Sequence, residues 1–279
     1  MGRSMSPARY FSMKKAHLIS CEILRREVEC LLGQSQSLRW AGRRGDLPSE
    51  VSFLRKGYHE NPSQLREEVQ KAIDAALPDA TLRSSEATTL RSTSAEIILI
   101  GYGLCGKGLE GVKARKIPLV IPRVHDCISI LLGSAKAYEE HFNANPGTYY
   151  YSPGWVEWGK DAVERAPIQG FGLGRSFEEY VEKYGEDNGR YLWELEQSWA
   201  QRYSRAAYID IGLPDAEGWQ ERAKELASSK GLKFERIAGS LRLLQNLLTG
   251  PWPEEEFLTV PPGASITATN DTCILGCLP

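Results

Sequence analysis

One stretch constrains this chain more than any other: Ile97-Ile-Leu-Ile-Gly-Tyr-Gly-Leu-Cys-Gly-Lys-Gly108. Four apolar residues run straight into a turn rich in glycine. An apolar run of that length reads as a strand buried on both faces, as in a parallel sheet. The glycines let the backbone leave the strand sharply. Cys105 is therefore delivered to the mouth of a sheet instead of its interior.

The same arrangement recurs along the chain. Ala16–Ser20 reads as a short apolar strand, and Cys21 stands at its junction with a helical segment in which Ile23, Leu24, Val28, Leu31 and Leu32 share one face. Val51–Leu54 is predicted as a second strand, with His59 in the loop behind it and a helix from a Ser63 cap to Leu77. Residues 78–95, rich in Ser and Thr without periodicity, read as a flexible insertion. Pro118–Pro122 is another buried strand. Arg123-Val-His-Asp-Cys-Ile128 follows and opens a helix predicted to reach Phe142, capped by Asp126. His141, late in that helix, reads as a surface residue.

A second half begins near Pro146. Thr148–Ser152 is predicted as a strand closed by Pro153-Gly-Trp155, and Ser176 with Glu179 forms a capping box. Strands at Ala206–Ile211 and Leu232–Ile237 alternate with helices. Gly239-Ser240 opens another helix, and Phe257–Val260 is the last predicted strand before a polar tail that reads as disordered. Strands alternating with helices imply an α/β fold, with two Rossmann-like subdomains of mostly parallel sheets and a cleft between them. The expected boundaries are an N-terminal extension over 1–15, a first subdomain over 16–146, a second over 147–263 and a C-terminal tail over 264–279. A chain of 279 residues with 42% hydrophobic content can bury cores of that size.

Charge and cysteine usage narrow the function. A net charge of −2 gives no basic field for nucleic acid or an anionic membrane. No apolar run approaches the roughly 20 residues that span a bilayer. Six cysteines without a signal-peptide pattern fit free thiols in a reducing compartment, so the expected location is cytoplasmic.

In open parallel sheets ligands bind beyond the carboxyl ends of the strands. Four strand exits present Cys21, His59, Cys105 and the His125-Asp126-Cys127 triplet. If the strands are parallel neighbours, these residues share one rim. Thiolates with an imidazole suit tetrahedral zinc, and soft sulfur donors also admit iron or nickel. Cys21, Cys105, His125, Cys127 and His59 are therefore the expected metal ligands, with Asp126 or Glu22 as general base or ligand orienter. Gly239 and Ser240, at a helix start, form a candidate phosphate or carboxylate site. Tyr149–Tyr151 and Trp155 could wall a pocket between the halves, and Asp210 falls at an edge or in the cleft.

Two nucleotide motifs are imitated. Gly101-Tyr-Gly-Leu-Cys-Gly106 fits G-x-G-x-x-G, and Gly101 to Lys107 fits G-x-x-x-x-G-K. Gly108 stands where the phosphate loop needs a hydroxyl, and the interval to the next strand leaves room for about two helical turns. The expected function is a metal-dependent enzyme acting on a small-molecule substrate. The alternatives are a non-enzymatic metal or cobamide carrier or sensor, and an NAD(P)-binding oxidoreductase.

Cys21-Glu-Ile-Leu-Arg-Arg-Glu27, Gly101-Tyr-Gly-Leu-Cys-Gly106, Pro122-Arg-Val-His-Asp-Cys-Ile128 with Leu132-Gly-Ser134, and Tyr150-Tyr-Ser-Pro-Gly-Trp155 together resemble one family, domain of unknown function 1638. The resemblance runs from about residue 15 to 262. It implies that Cys21, Cys105, His125, Asp126 and Cys127 act as one site, with His59 included by position. Members often carry asparagine where Lys107 stands, which argues against a phosphate-binding lysine. The family's genes can lie beside corrinoid methyltransferase systems, so the resemblance implies transferase chemistry, methyl transfer to a thiol, and a corrinoid protein as partner.

Overall fold

The computed structural model describes residues 15–38, 48–77, 95–161, 176–200, 202–214 and 216–279. The predicted insertion at 78–95 and the N-terminal extension lie almost wholly outside them. The chain opens with β1 (Ala16–Cys21), a single 3₁₀ turn at Glu22–Leu24 and α1 (Arg25–Leu38). Next come β2 (Glu50–Leu54), α2 (Pro62–Ala75), β3 (Ile97–Gly101) and β4 (Leu119–Pro122). The short helix α3 (Cys127–Leu131) and α4 (Ala135–Ala144) lead into the second half.

That half contains β5 (Thr148–Tyr151), α5 (Pro153–Asp161), the helix pair α6 (Phe177–Tyr184) and α7 (Glu186–Ala200), β6 (Arg205–Asp210), α8 (Ala216–Ser229) and β7 (Lys233–Ala238). It closes with α9 (Arg242–Thr249), β8 (Phe257–Val260) and a hairpin of β9 (Ser265–Ala268) and β10 (Leu275–Leu278).

The molecule is α/β, as the alternation predicted. The larger sheet has the order β2-β1-β3-β4-β8, parallel except for the antiparallel edge strand β8. The smaller sheet, β5-β6-β7, is wholly parallel. In the larger sheet the chain leaves β1 to form β2 on one side, then crosses to form β3 on the other. The carboxyl ends of β1 and β3 therefore flank a topological switch point, where parallel sheets open a crevice.

Both faces of the larger sheet are buried, which is why its strands read as continuous apolar runs. Ile19, Ile98, Ile100 and Ile121 meet α2 through Leu65, Val69 and Ile73. Leu18, Leu99 and Val120 on the opposite face meet Leu24 and Val28, the leucines of α9, and Tyr150, Ala207 and Ile209 of the smaller sheet. The second core is thus shared by the two halves.

Several local expectations need correction. The tail at 264–279 is an ordered hairpin, a two-stranded sheet of its own whose Ile266, Ile274 and Leu275 are buried in the α2-side core of the larger sheet. Strand β8, inside the span expected for the second subdomain, pairs antiparallel with β4 at the edge of the larger sheet. The helix predicted from 126 to Phe142 is two helices. Gly133 turns with a positive φ of 85°, and Ser134 recaps the chain by accepting from the Ala137 amide at 3.0 Å. Helix α2 is capped by Asn61 rather than Ser63, because Pro62 fills the first helical position with its preset φ. Pro153 likewise starts α5 instead of closing a strand. The Ser176–Glu179 capping box forms, with both reciprocal bonds present.

Candidate functional site

Three cysteines leave three neighbouring parallel strands on one rim. Cys21 is the last residue of β1, Cys105 lies in the turn after β3, and Cys127 opens α3 after β4. Glycines draw these exits together. A Cβ on Gly101 would collide with the Ser20 hydroxyl on β1. One on Gly103 would lie 2.6 Å from the Asp126 amide nitrogen and 2.7 Å from the Val124 carbonyl. Backbone bonds then pin the turn, Leu104 N to Val124 O at 2.9 Å and Cys105 N to His125 O at 2.7 Å. Held this way, Cys105, Gly106 and Lys107 all take left-handed φ values of 47°, 61° and 69°. Two of the three carry a Cβ, and such strain persists only where the surroundings over-determine it.

The thiols sense one another. Burial pushes the Cys21 thiol up to about 11, with the Ile23 backbone and the Tyr102 hydroxyl nearby working the other way. Cys105 is also raised, first by burial and then by Cys21 and Asp126, while the Gly103 amide works the other way. Cys127 is raised by burial first, then by Asp126, Cys21 and Cys105, with the nearby Trp155 indole working the other way. Burial is the largest cause for each, so the structure favours thiol over thiolate at all three positions. Tyr102 is 2% exposed and its hydroxyl has no hydrogen-bond partner among the described residues; burial raises it first, and the three thiols add to that. All three cysteines are free.

Trp155 comes from the other half. Gly154 brings the start of α5 so close to the 3₁₀ turn that a Cβ there would overlap the Ile23 carbonyl oxygen. The indole then reaches Cys127 on one side and stands edge-on to His59 on the other, with ring centroids 5.4 Å apart at 83°. Burial lowers His59. His59 thus joins the group beside the tryptophan, within a 3₁₀ turn at Tyr58–Glu60.

The remaining expected residues have other roles. Asp126 accepts from the Ser129 amide at 3.0 Å and from its hydroxyl at 3.1 Å, so it caps α3; burial raises its carboxyl against those two bonds. His125 is exposed, and its carbonyl holds Cys105. Glu22 pairs with Arg25 at 3.3 Å and accepts from the Lys56 amide at 3.4 Å. Among the described residues, no group of three or more His, Cys, Asp or Glu side chains stands so that it could hold a metal ion.

Gly239 and Ser240 do not present free amides: Gly239 N donates to Asp210 O at 2.7 Å and Ser240 N to Leu131 O at 2.8 Å. Helix α9 starts two residues later, at Arg242. A phosphate or carboxylate would find no donor pair there. The dinucleotide motif lacks its helix too, because residues 105–111 form turns rather than a helix start. Asp210 sits at the carboxyl end of β6, bonded to Arg236 and the Gly212 amide, in an open depression of about 350 Å³.

Tyr102 and the Trp155–Cys127 contact escape a reading of spacing alone. Tyr102 does carry a signal, a polar-tipped ring between two glycines at a strand exit. His141 is half-buried, with Nδ1 2.7 Å from the Tyr150 hydroxyl, and not the surface residue expected. Tyr149 and Tyr151 pack toward Lys230.

A family model described as "Protein of unknown function (DUF1638)" matches residues 53–248. The chain belongs to this family. The matched span contains Cys105, Cys127 and Trp155 and starts beyond Cys21, so the DUF1638 match is narrower than the resemblance read from the motifs. No curated protein and no solved structure matches the chain. No helix among the described residues is long and apolar enough to cross a membrane.

Proposed function

We propose that the chain is a metal-dependent enzyme whose centre is held by Cys21, Cys105 and Cys127 at the switch point of the larger sheet. The observation that carries this reading is the delivery of Cys21, Cys105 and Cys127 to one rim by three consecutive strands, where they pack in one cluster with Tyr102 and Trp155. The donor set fits a thiophilic cation. Burial and mutual repulsion oppose three thiolates so close together, and a bound cation offsets both.

Zinc, iron or nickel all suit sulfur ligands. Such a centre lowers the pKa of a bound thiol or water and orients it. The chain's own residues supply the rest. Trp155 and His59 exclude water over Cys127, Tyr102 offers a hydroxyl donor in the middle of the group, and Asp126 fixes the start of α3. The substrate is a small molecule entering from the crevice. Methyl transfer to a thiol, with a corrinoid protein as partner, is the reaction class that the family resemblance brings to such a centre.

Elemental analysis of anaerobically purified protein tests the reading. The expected result is stoichiometric soft metal, lost in the Cys105→Ser/Cys127→Ser double variant. Metal-free wild-type protein, with a fold indifferent to those changes, would overturn it.

A further inference from the structure

We propose that Ser52, His17 and Glu50 form a second site, a hydrolytic relay for carboxylic esters. Ser52 is the nucleophile, His17 its general base and Glu50 the carboxylate that positions the imidazole. The register brings the three together. Glu50 and Ser52 are two apart on β2 and so share a face, and His17 on β1 pairs with Glu50 and points the same way. His17 Nε2 lies 2.8 Å from Ser52 Oγ, and Nδ1 lies 3.3 Å from a Glu50 carboxylate oxygen. A hydroxyl on Nε2 with a carboxylate on Nδ1 is the constellation that recurs on unrelated folds for acyl transfer. The Nδ1 contact is close without being an aligned hydrogen bond, and such contacts are often loose before a substrate binds. The relay stands apart from the thiol rim, since His17 precedes Cys21 by roughly 13 Å along β1.

The surroundings suit each role. His17 is 7% exposed, and Ile98 of β3 is its register partner on the side away from Glu50. Burial favours the neutral imidazole, the form that can take a proton. Ser52 is half-buried on the edge strand of the larger sheet, so a substrate reaches its hydroxyl from that edge. The Ser49 amide donates to the Ala16 carbonyl at 2.9 Å, which turns the alternate amides of Ser49, Val51 and Phe53 toward β1. The Ser52 amide therefore faces outward, pairs with no strand and is available to an oxyanion. In acylation Ser52 Oγ bonds to the acyl carbon, and its proton passes to His17 Nε2. The bond from that carbon to the leaving alcohol breaks, and the alcohol departs with the proton. Water then attacks the acyl-serine by the same route and releases the acid and the free serine.

The test uses the full chain with a fluorophosphonate probe and with p-nitrophenyl acetate. Stoichiometric labelling is expected, mapped by peptide mass spectrometry to Ser52, together with release of p-nitrophenol. Ser52→Ala abolishes the labelling and keeps the circular dichroism spectrum of the wild type. His17→Asn lowers turnover by about 10²–10⁴-fold. His17 is buried, so if that variant fails to fold, Ser52→Ala carries the decision. Glu50→Gln slows turnover and moves the midpoint of its pH profile to a lower value, because the carboxylate no longer favours the imidazolium. An unmoved midpoint overturns the positioning role of Glu50. Wild-type protein that takes no probe, or labelling that survives in Ser52→Ala, overturns the relay and leaves the metal-centre reading untouched. Turnover that a chelator abolishes belongs to the metal centre and overturns the relay as its source.

Discussion

Glu27 on α1 is 0% exposed, and neither carboxylate oxygen has a hydrogen-bond partner among the described residues. Its neighbour Arg26 is engaged elsewhere, donating to Glu157 on α5 at 2.9 and 3.1 Å. The charged groups that act on Glu27 are Arg26 and Glu157, and Glu27 in turn perturbs Tyr208 on β6. Burial dominates and pushes its carboxyl up to about 7 from 4.5. The unfolded chain releases this proton near 4.5, while the folded protein keeps it to about 7. Stability is therefore fully present below 4.5 and declines as pH rises to about 7. Replacing the carboxyl with an amide of the same shape removes the decline. Glu27→Gln should gain up to about 3 kcal/mol over wild type on going from pH 4.5 to pH 8. Urea denaturation at both pH values measures it; an equal difference between the two proteins at each pH would sink the assignment.

At the scale of elements, local chemistry and long-range packing divide what could be read. The strand ending in Gly101, the Asp126 cap and the Ser176–Glu179 box were legible because each depends on residues a few positions apart. The three cysteines were legible as strand exits for the same reason. The break at Gly133 was not, because Ser240 from a distant turn packs against it and a Cβ there would lie 2.7 Å from Ser240 Cβ. The closing hairpin was missed for a different reason. Its residues look polar in sequence, and its burial depends on Ile266, Ile274 and Leu275 meeting a sheet face formed far earlier in the chain. Arg123, just past β4, ties the hairpin down by donating to the carbonyls of Cys273 and Leu275. A hairpin held this way contributes to stability rather than trailing from it. Ile266→Ala, at a residue 2% exposed, should lower the free energy of unfolding by about 2–5 kcal/mol in urea denaturation. A loss within about 0.5 kcal/mol would match a surface position and return residues 264–279 to the status of a tail.

For the whole molecule, the consequence is that the two sheets cannot be parted where the sequence suggested. The first sheet takes its edge strand β8 and the covering helix α9 from the end of the chain. Its second face shares a core with Tyr150, Ala207 and Ile209 of the smaller sheet. The thiol group depends on the same union, since Trp155 reaches Cys127 from α5 and Gly154 seats α5 against Ile23. A fragment of residues 1–146 would expose the apolar face that Leu243, Leu244, Leu247 and Leu248 cover, and would leave β4 as an unpaired edge. Each buried leucine is worth roughly 1.5–3 kcal/mol, so the loss is of the same size as the margin on which most domains stand. The full chain should unfold in one transition that far-ultraviolet circular dichroism and tryptophan fluorescence report together. The fragment should lack cooperative unfolding altogether. A folded 1–146 fragment, or two separated transitions in the full chain, would mean that the shared core holds less than its burial indicates and that the thiol rim can form without Trp155.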